Sequence, residues 1–99
     1  MSNQGTVFVI AEFRAKKGQE PALKAVLNTL IPPTRREPSC LQYDLLYDPD
    51  DAATLVFLER WETDDSLERH LQTPHIQTAR KDWAALVETE PIIRRLRKL

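Results

Sequence analysis

The chain has 99 residues, 41% of them apolar and 29% charged, which predicts one globular domain over residues 1–99 and excludes a complete dinucleotide-binding or kinase fold. Fourteen Lys and Arg face fifteen Asp and Glu, a net charge of -1, so no field draws nucleic acid or an anionic membrane surface. No apolar run exceeds the five residues of Val7 to Ala11, far below the about 20 residues that cross a bilayer, and the start lacks a signal-peptide pattern, so a cytoplasmic protein is expected. The single cysteine, Cys40, has no partner for a disulfide or a thiolate metal site.

Thr6 to Arg14, rich in β-branched and aromatic residues, predicts a first strand. After the basic turn Lys16-Lys17-Gly18, Leu23, Val26, Leu27, Leu30 and Ile31 form one helical stripe, with Pro21 in its first turn. Pro32-Pro33 breaks or kinks that helix, and Pro38 marks a loop. Cys40 to Tyr47 alternates as a second strand, with Leu41, Tyr43, Leu45 and Tyr47 on one side. The turn Asp48-Pro49-Asp50-Asp51 joins it to a third strand, Thr54 to Glu62, as an antiparallel hairpin. Thr63 or Asp64 caps a helix carrying Leu67, His70 and Leu71, and Thr73-Pro74 opens another carrying Ile76, Ala79, Trp83, Leu86 and Val87. Glu90 to Leu96 closes the chain as an edge strand with Pro91 at its start. This order predicts an α+β fold of the split β-α-β type, a four-stranded antiparallel sheet with helices on one face.

Strand parity adds a second expectation. Val7, Val9, Ala11 and Phe13 share one side of the first strand, but Phe8 and Ile10 lie on the other, and Val56 and Leu58 lie opposite Leu55, Phe57 and Trp61. Helices cover one side only, so the other apolar surface predicts a homodimer packed sheet against sheet, with Glu12, Arg14, Arg60 and Glu62 near its rim.

Three segments carry a family resemblance: Val9 to Gly18, Arg36 to Tyr43, and Phe57 to Glu62 continuing through His70-Leu71-Gln72-Thr73-Pro74-His75. The combination of Glu59-x-Trp61 with His70 and Pro74-His75 resembles the antibiotic biosynthesis monooxygenase domain over nearly the whole chain. The resemblance implies a ferredoxin-like protomer in a dimeric α+β barrel, in a family with cofactor-independent quinol and anthrone oxygenases, an autoinducer-2-degrading isomerase and haem-degrading enzymes. The haem branch carries a first-strand asparagine, a third-strand tryptophan and an iron-ligating helix histidine; Trp61 matches the tryptophan, but the other two positions hold Ala11 and a residue near Arg80. No flavin or nicotinamide signature is present, and no cofactor is expected.

Each candidate residue has two readings. Glu59 shares a strand face with Trp61, and a carboxylate there either bonds backbone or an arginine at the core margin, or orients a histidine or a substrate hydroxyl. Trp61 is core filler or a wall against an aromatic substrate. His70 is a satisfied core histidine or a general base, and His75 a capping residue or a second group at the cavity mouth. Their spacing across a helix break is no metal signature, and no third ligand is expected near them, so no metal is expected. Tyr43 and Tyr47 belong to core or rim, Tyr43 doubling as a substrate wall. Cys40 is expected to be a small hydrophobe rather than a nucleophile. Arg94 to Lys98 is a solvated end from which Arg94 and Arg97 can reach an acidic substrate. The expected function is oxidation of a small phenolic, quinol or other aromatic substrate by O₂ without a cofactor, with His70 and Glu59 catalytic and Trp61, Tyr43 and His75 binding substrate. The alternatives are isomerisation of a small phosphorylated carbonyl compound and a non-catalytic ligand-binding dimer.

Overall fold

A computed structural model describes residues 5–99. Its elements run β1 (Val7–Arg14), α1 (Glu20–Asn28), α2 (Ile31–Arg35), β2 (Cys40–Asp48), β3 (Asp51–Trp61), α3 (Asp64–Leu71), α4 (Pro74–Trp83) and β4 (Ile92–Leu96). The four strands form one open antiparallel sheet in the order β2-β3-β1-β4. The sheet does not close into a barrel within the chain.

The helices pack on the side that parity assigned to them. Val7, Val9, Ala11 and Phe13 of β1 and Leu55, Phe57, Glu59 and Trp61 of β3 are buried there with Leu23, Leu27, Leu67, Ile76 and Ala79. Phe13 meets the Trp83 ring edge-on, with centroids 4.8 Å apart. On the other side lie Phe8, Ile10, Val56 and Leu58, half-buried, and Leu46, Ile92 and Leu96, exposed, in register across all four strands.

Several boundaries differ from the sequence expectation. Pro32 and Pro33 do not simply end a helix, because they occupy the first turn of α2, where a missing N–H costs nothing. Asp51 pairs with Asp48, so the hairpin turn is tighter and β3 starts three residues before Thr54. A register shift between Cys40 and Gln42 takes Leu41 out of the alternation, leaving it exposed, and Tyr47 at the far end of β2 is 75% exposed. α4 stops at Trp83 although Leu86 and Val87 continue its stripe. Their backbone is drawn off by the end of β1: Lys16 N–H donates to the Leu86 carbonyl at 2.8 Å, Glu88 N–H to the Arg14 carbonyl at 2.9 Å, and Ala15 bridges Val87.

Candidate active site

α3 and α4 are joined so tightly that two histidines converge. Thr63 caps α3 by accepting from Ser66 N–H while Ser66 Oγ accepts from Thr63 N–H, a capping box that fixes the start of the helix. At its other end Thr73 donates from both its hydroxyl, at 2.8 Å, and its N–H to the His70 carbonyl. The same hydroxyl accepts from Ile76 N–H and caps α4. His70 on α3 and His75 in the first turn of α4 therefore stand with ring centroids 6.0 Å apart.

The loop between α2 and β2 supplies the group between them. Glu37 N–H donates to the Thr34 carbonyl, and the Glu37 carbonyl accepts from Cys40 N–H, which pins the residue ahead of Pro38. Its Oε2 lies 2.8 Å from His70 Nδ1 and 2.7 Å from His75 Nε2. Of the two functional roles the sequence offered for Glu59, orienting a histidine or a substrate hydroxyl, the structure corrects the first: Glu59 Oε1 accepts from the Trp61 indole N–H at 2.9 Å, and the partner of His70 is Glu37. The expectation that no third donor stands near the histidines fails for the same reason. Glu37 is 33 residues from His70 in the chain and adjacent in space. Periodicity carries no signal for such a loop residue; its only mark was its place in the segment bearing the family resemblance.

A cavity of about 320 Å³ opens between the sheet and α3–α4. Tyr43, Glu59 and His70 line it, on a mainly apolar wall that includes Val9, Phe57 and Ile76. Trp61 and His75 are not on that wall. Trp61 is fully buried behind His70, with ring centroids 4.6 Å apart, and His75 touches the site through Glu37. Tyr43 stacks on Phe57 at 4.5 Å and meets the His70 ring at 5.5 Å. His70 is 2% exposed, and its Nε2 makes no hydrogen bond to any described residue. With Nδ1 tied to Glu37, Nε2 is the nitrogen left for a ligand.

Burial sets the proton affinities. It lowers the His70 pKa against the pull of Glu37, favouring the neutral ring. It pushes Glu59 up to about 7, opposed by the Trp61 N–H and reinforced by the charge of Glu37. Tyr43 is raised by burial and by Glu59, so its phenol stays protonated. Burial and then Glu37 push the Cys40 thiol up to about 11, the opposite of what a nucleophile requires.

Two arginines also reach the wall, Arg80 from α4 and Arg95 from β4. Neither is the residue the sequence singled out for an acidic substrate. Strand alternation turns Arg94 to the outer face, opposite Ile10, and Arg97 is bound to Asp64 and to the Gly5 carbonyl. Arg95 is paired with Glu68 at 2.7 Å, whereas Arg80 makes no ion pair with a described residue. Ala11, which stands where the resemblance places the haem branch's asparagine, and Arg80, near the place of its iron ligand, both line the cavity, and neither side chain can bind iron.

The family model for antibiotic biosynthesis monooxygenase matches residues 6–82. The chain belongs to the antibiotic biosynthesis monooxygenase family. It is 37% identical to "Putative monooxygenase Rv0793" of Mycobacterium tuberculosis, over 87% of this chain and 83% of that protein. It is 35% identical to "Probable quinol monooxygenase YgiN" of Escherichia coli, over 70% of this chain and 76% of that one. Among solved structures, PA3566 of Pseudomonas aeruginosa superimposes with a TM-score of 0.91 at 33% identity, covering 100% of this chain and 99% of its own. The match runs from β1 through α4, so Glu37, Glu59, Trp61, His70 and His75 all lie within the family segment.

Proposed function

We propose that the chain is a cofactor-independent monooxygenase of a small phenolic or quinol substrate, with His70 as general base. The observation that carries this reading is a buried neutral imidazole on the wall of a mainly apolar cavity, its Nδ1 held by Glu37 and its Nε2 unengaged. Family membership and the names of the relatives support the reaction class.

Nε2 takes the substrate's hydroxyl proton, and the Nδ1–H donated to Glu37 stabilises the imidazolium that forms. The electron-rich anion passes one electron to O₂, the two radicals recombine through a new carbon–oxygen bond as a peroxide anion, and the imidazolium returns its proton to give the hydroperoxide. Loss of water from that hydroperoxide, taking the carbon's remaining hydrogen and the distal oxygen, leaves one oxygen atom as a new carbonyl. The substrate supplies all the electrons. Tyr43 walls the ring and Glu59, poised near neutrality, meets a substrate hydroxyl, while Trp61 holds the histidine plane from behind. The protein contributes deprotonation, orientation and exclusion of water.

The test is aerobic turnover of a hydroquinone and anthrone panel by chelator-treated protein under ¹⁸O₂. One labelled oxygen per product, at rates above buffer autoxidation, is expected; rates equal to autoxidation across the panel overturn the reading. Arg80 and Arg95 on the wall favour a second reading, isomerisation of a phosphorylated carbonyl compound by the same base. That reading requires turnover of such a compound without oxygen. The working unit under either reading is a homodimer joined through the outer sheet face, supported by the apolar residues aligned there.

A further inference from the structure

We propose that Glu37, His70 and His75 form a binding site for a divalent late first-row transition metal ion, with zinc as the representative occupant. Three donor atoms of the kinds such ions take, His70 Nδ1, His75 Nε2 and a carboxylate oxygen of Glu37, lie within 4.8 Å of one another. They come from three different segments, and both nitrogens meet the same carboxylate oxygen, Glu37 Oε2 lying 2.8 Å from one and 2.7 Å from the other.

The arrangement is close to what a cation needs. Ligands at the usual 2.0–2.1 Å from zinc in a tetrahedron stand about 3.3 Å apart. Replacing the shared protons by the ion therefore requires each nitrogen to draw back from Oε2 by roughly half an ångström, and the two nitrogens, up to 4.8 Å apart, to approach each other to about that spacing. The fourth position is left for water. Two imidazoles with one carboxylate suit zinc, cobalt or nickel, and a site with a single carboxylate is poor for magnesium or calcium, which take six or more oxygens.

The surroundings are those of a built site. His70 is clamped between the Trp61 ring and the Tyr43 edge, and its carbonyl is fixed by Thr73, so its Nδ1 direction is set before any ion arrives. Glu37 and His75 are 14% and 22% exposed, which leaves the ion a path from solvent. Metal on Nδ1 keeps the ring's proton on Nε2, so an occupied site holds the base of the preceding section in a form that cannot accept a proton. Zinc would thus act as an inhibitor of that reaction. Its binding requires no turnover, so the site stands or falls independently of the oxygenase reading.

The experiment titrates the chelator-treated full chain with Zn²⁺ by calorimetry and with Co²⁺ by visible absorption. One ion per chain is expected, with cobalt bands of tetrahedral intensity, and at least tenfold weaker binding in both His75→Ala and Glu37→Gln. In the unsubstituted chain, zinc is expected to shift the ¹⁵N resonances of two histidine nitrogens, one δ and one ε, a readout that does not depend on how the variants fold. Absence of saturable binding, an affinity unchanged in both variants, or histidine resonances unmoved by zinc overturns the site.

Discussion

The two faces of this sheet are built from the same four strands, yet each carries the kind of residue that costs most in its surroundings. The inner face is closed over by α1, α3 and α4, and among its apolar side chains it buries Glu59 at 4% exposure, with His70 brought against it at 2%. The outer face has no helix over it, and it carries Phe8, Ile10, Leu46, Val56, Leu58, Ile92 and Leu96, interleaved in register with Glu12, Gln42, Asp44, Arg60 and Arg94. Polar groups buried in an apolar layer are expensive unless they are paired or used, and a wide apolar surface in water is expensive unless it is covered. The difference separates the two proposals made for one sheet: chemistry on the closed side and association on the open side.

Breaking the closed side gives the largest expected effect. Trp61→Ala removes a fully buried ring that backs His70 and ties Glu59. A loss of about 3–5 kcal/mol in urea unfolding is expected, and a loss under 1 kcal/mol contradicts its place in the core. On the open side, Leu58→Asp replaces the apolar partner of Ile10 with a second carboxylate beside Asp44 while leaving the inner face intact. Light scattering is expected to give the dimer mass for the unsubstituted chain and half of it for the variant; a monomeric unsubstituted chain at micromolar concentration contradicts the outer-face interface.

Glu59 sharpens the comparison through pH. Its folded pKa of about 7 lies above its ordinary value of 4.5, so between those values the folded chain holds a proton that the unfolded chain has released. Stability from this group therefore falls as pH rises from about 4.5 to about 7 and is level above that. Glu59→Gln removes the ionisation and keeps an acceptor for Trp61. The variant is expected to gain on the order of 2–3 kcal/mol over the parent at pH 8 and nothing at pH 4.5, read as the difference between two thermal-stability profiles. A difference that does not vary with pH contradicts the buried-acid assignment. The smallest effect concerns positioning: Thr63→Ala removes the cap of α3 and is expected to cost about 1 kcal/mol, with the fold retained.

The fold was readable because its signals are local. Period-two alternation in β1 and β3 and the helical stripe of Leu23 and Leu27 each determine a face without knowledge of the rest of the chain. The exceptions have tertiary causes: α4 ends early because the end of β1 captures the backbone at Leu86 and Glu88, and the register shift at Cys40–Gln42 exposes Leu41. The site was only half readable. His70 and Glu59 stood out as polar residues at buried phases of regular elements. Glu37 did not, because a loop residue has no phase and its contacts with His70 and His75 arise only when α3 and α4 fold back over β2 and β3. Arg95 rather than Arg94 at the cavity is a matter of one-residue parity in a strand exposed along its whole length, where no apolar pattern fixes the inner side.

The central claim is that the imidazole of His70, oriented by Glu37, removes a proton inside the closed side of the sheet. The most direct measurement compares His70→Asn with the unsubstituted chain for oxygen uptake on the best quinol substrate, both chelator-treated and both verified as folded by circular dichroism. A fall of about 10²–10⁴ in kcat is expected for loss of a general base, whereas turnover at the rate of the unsubstituted chain would contradict it.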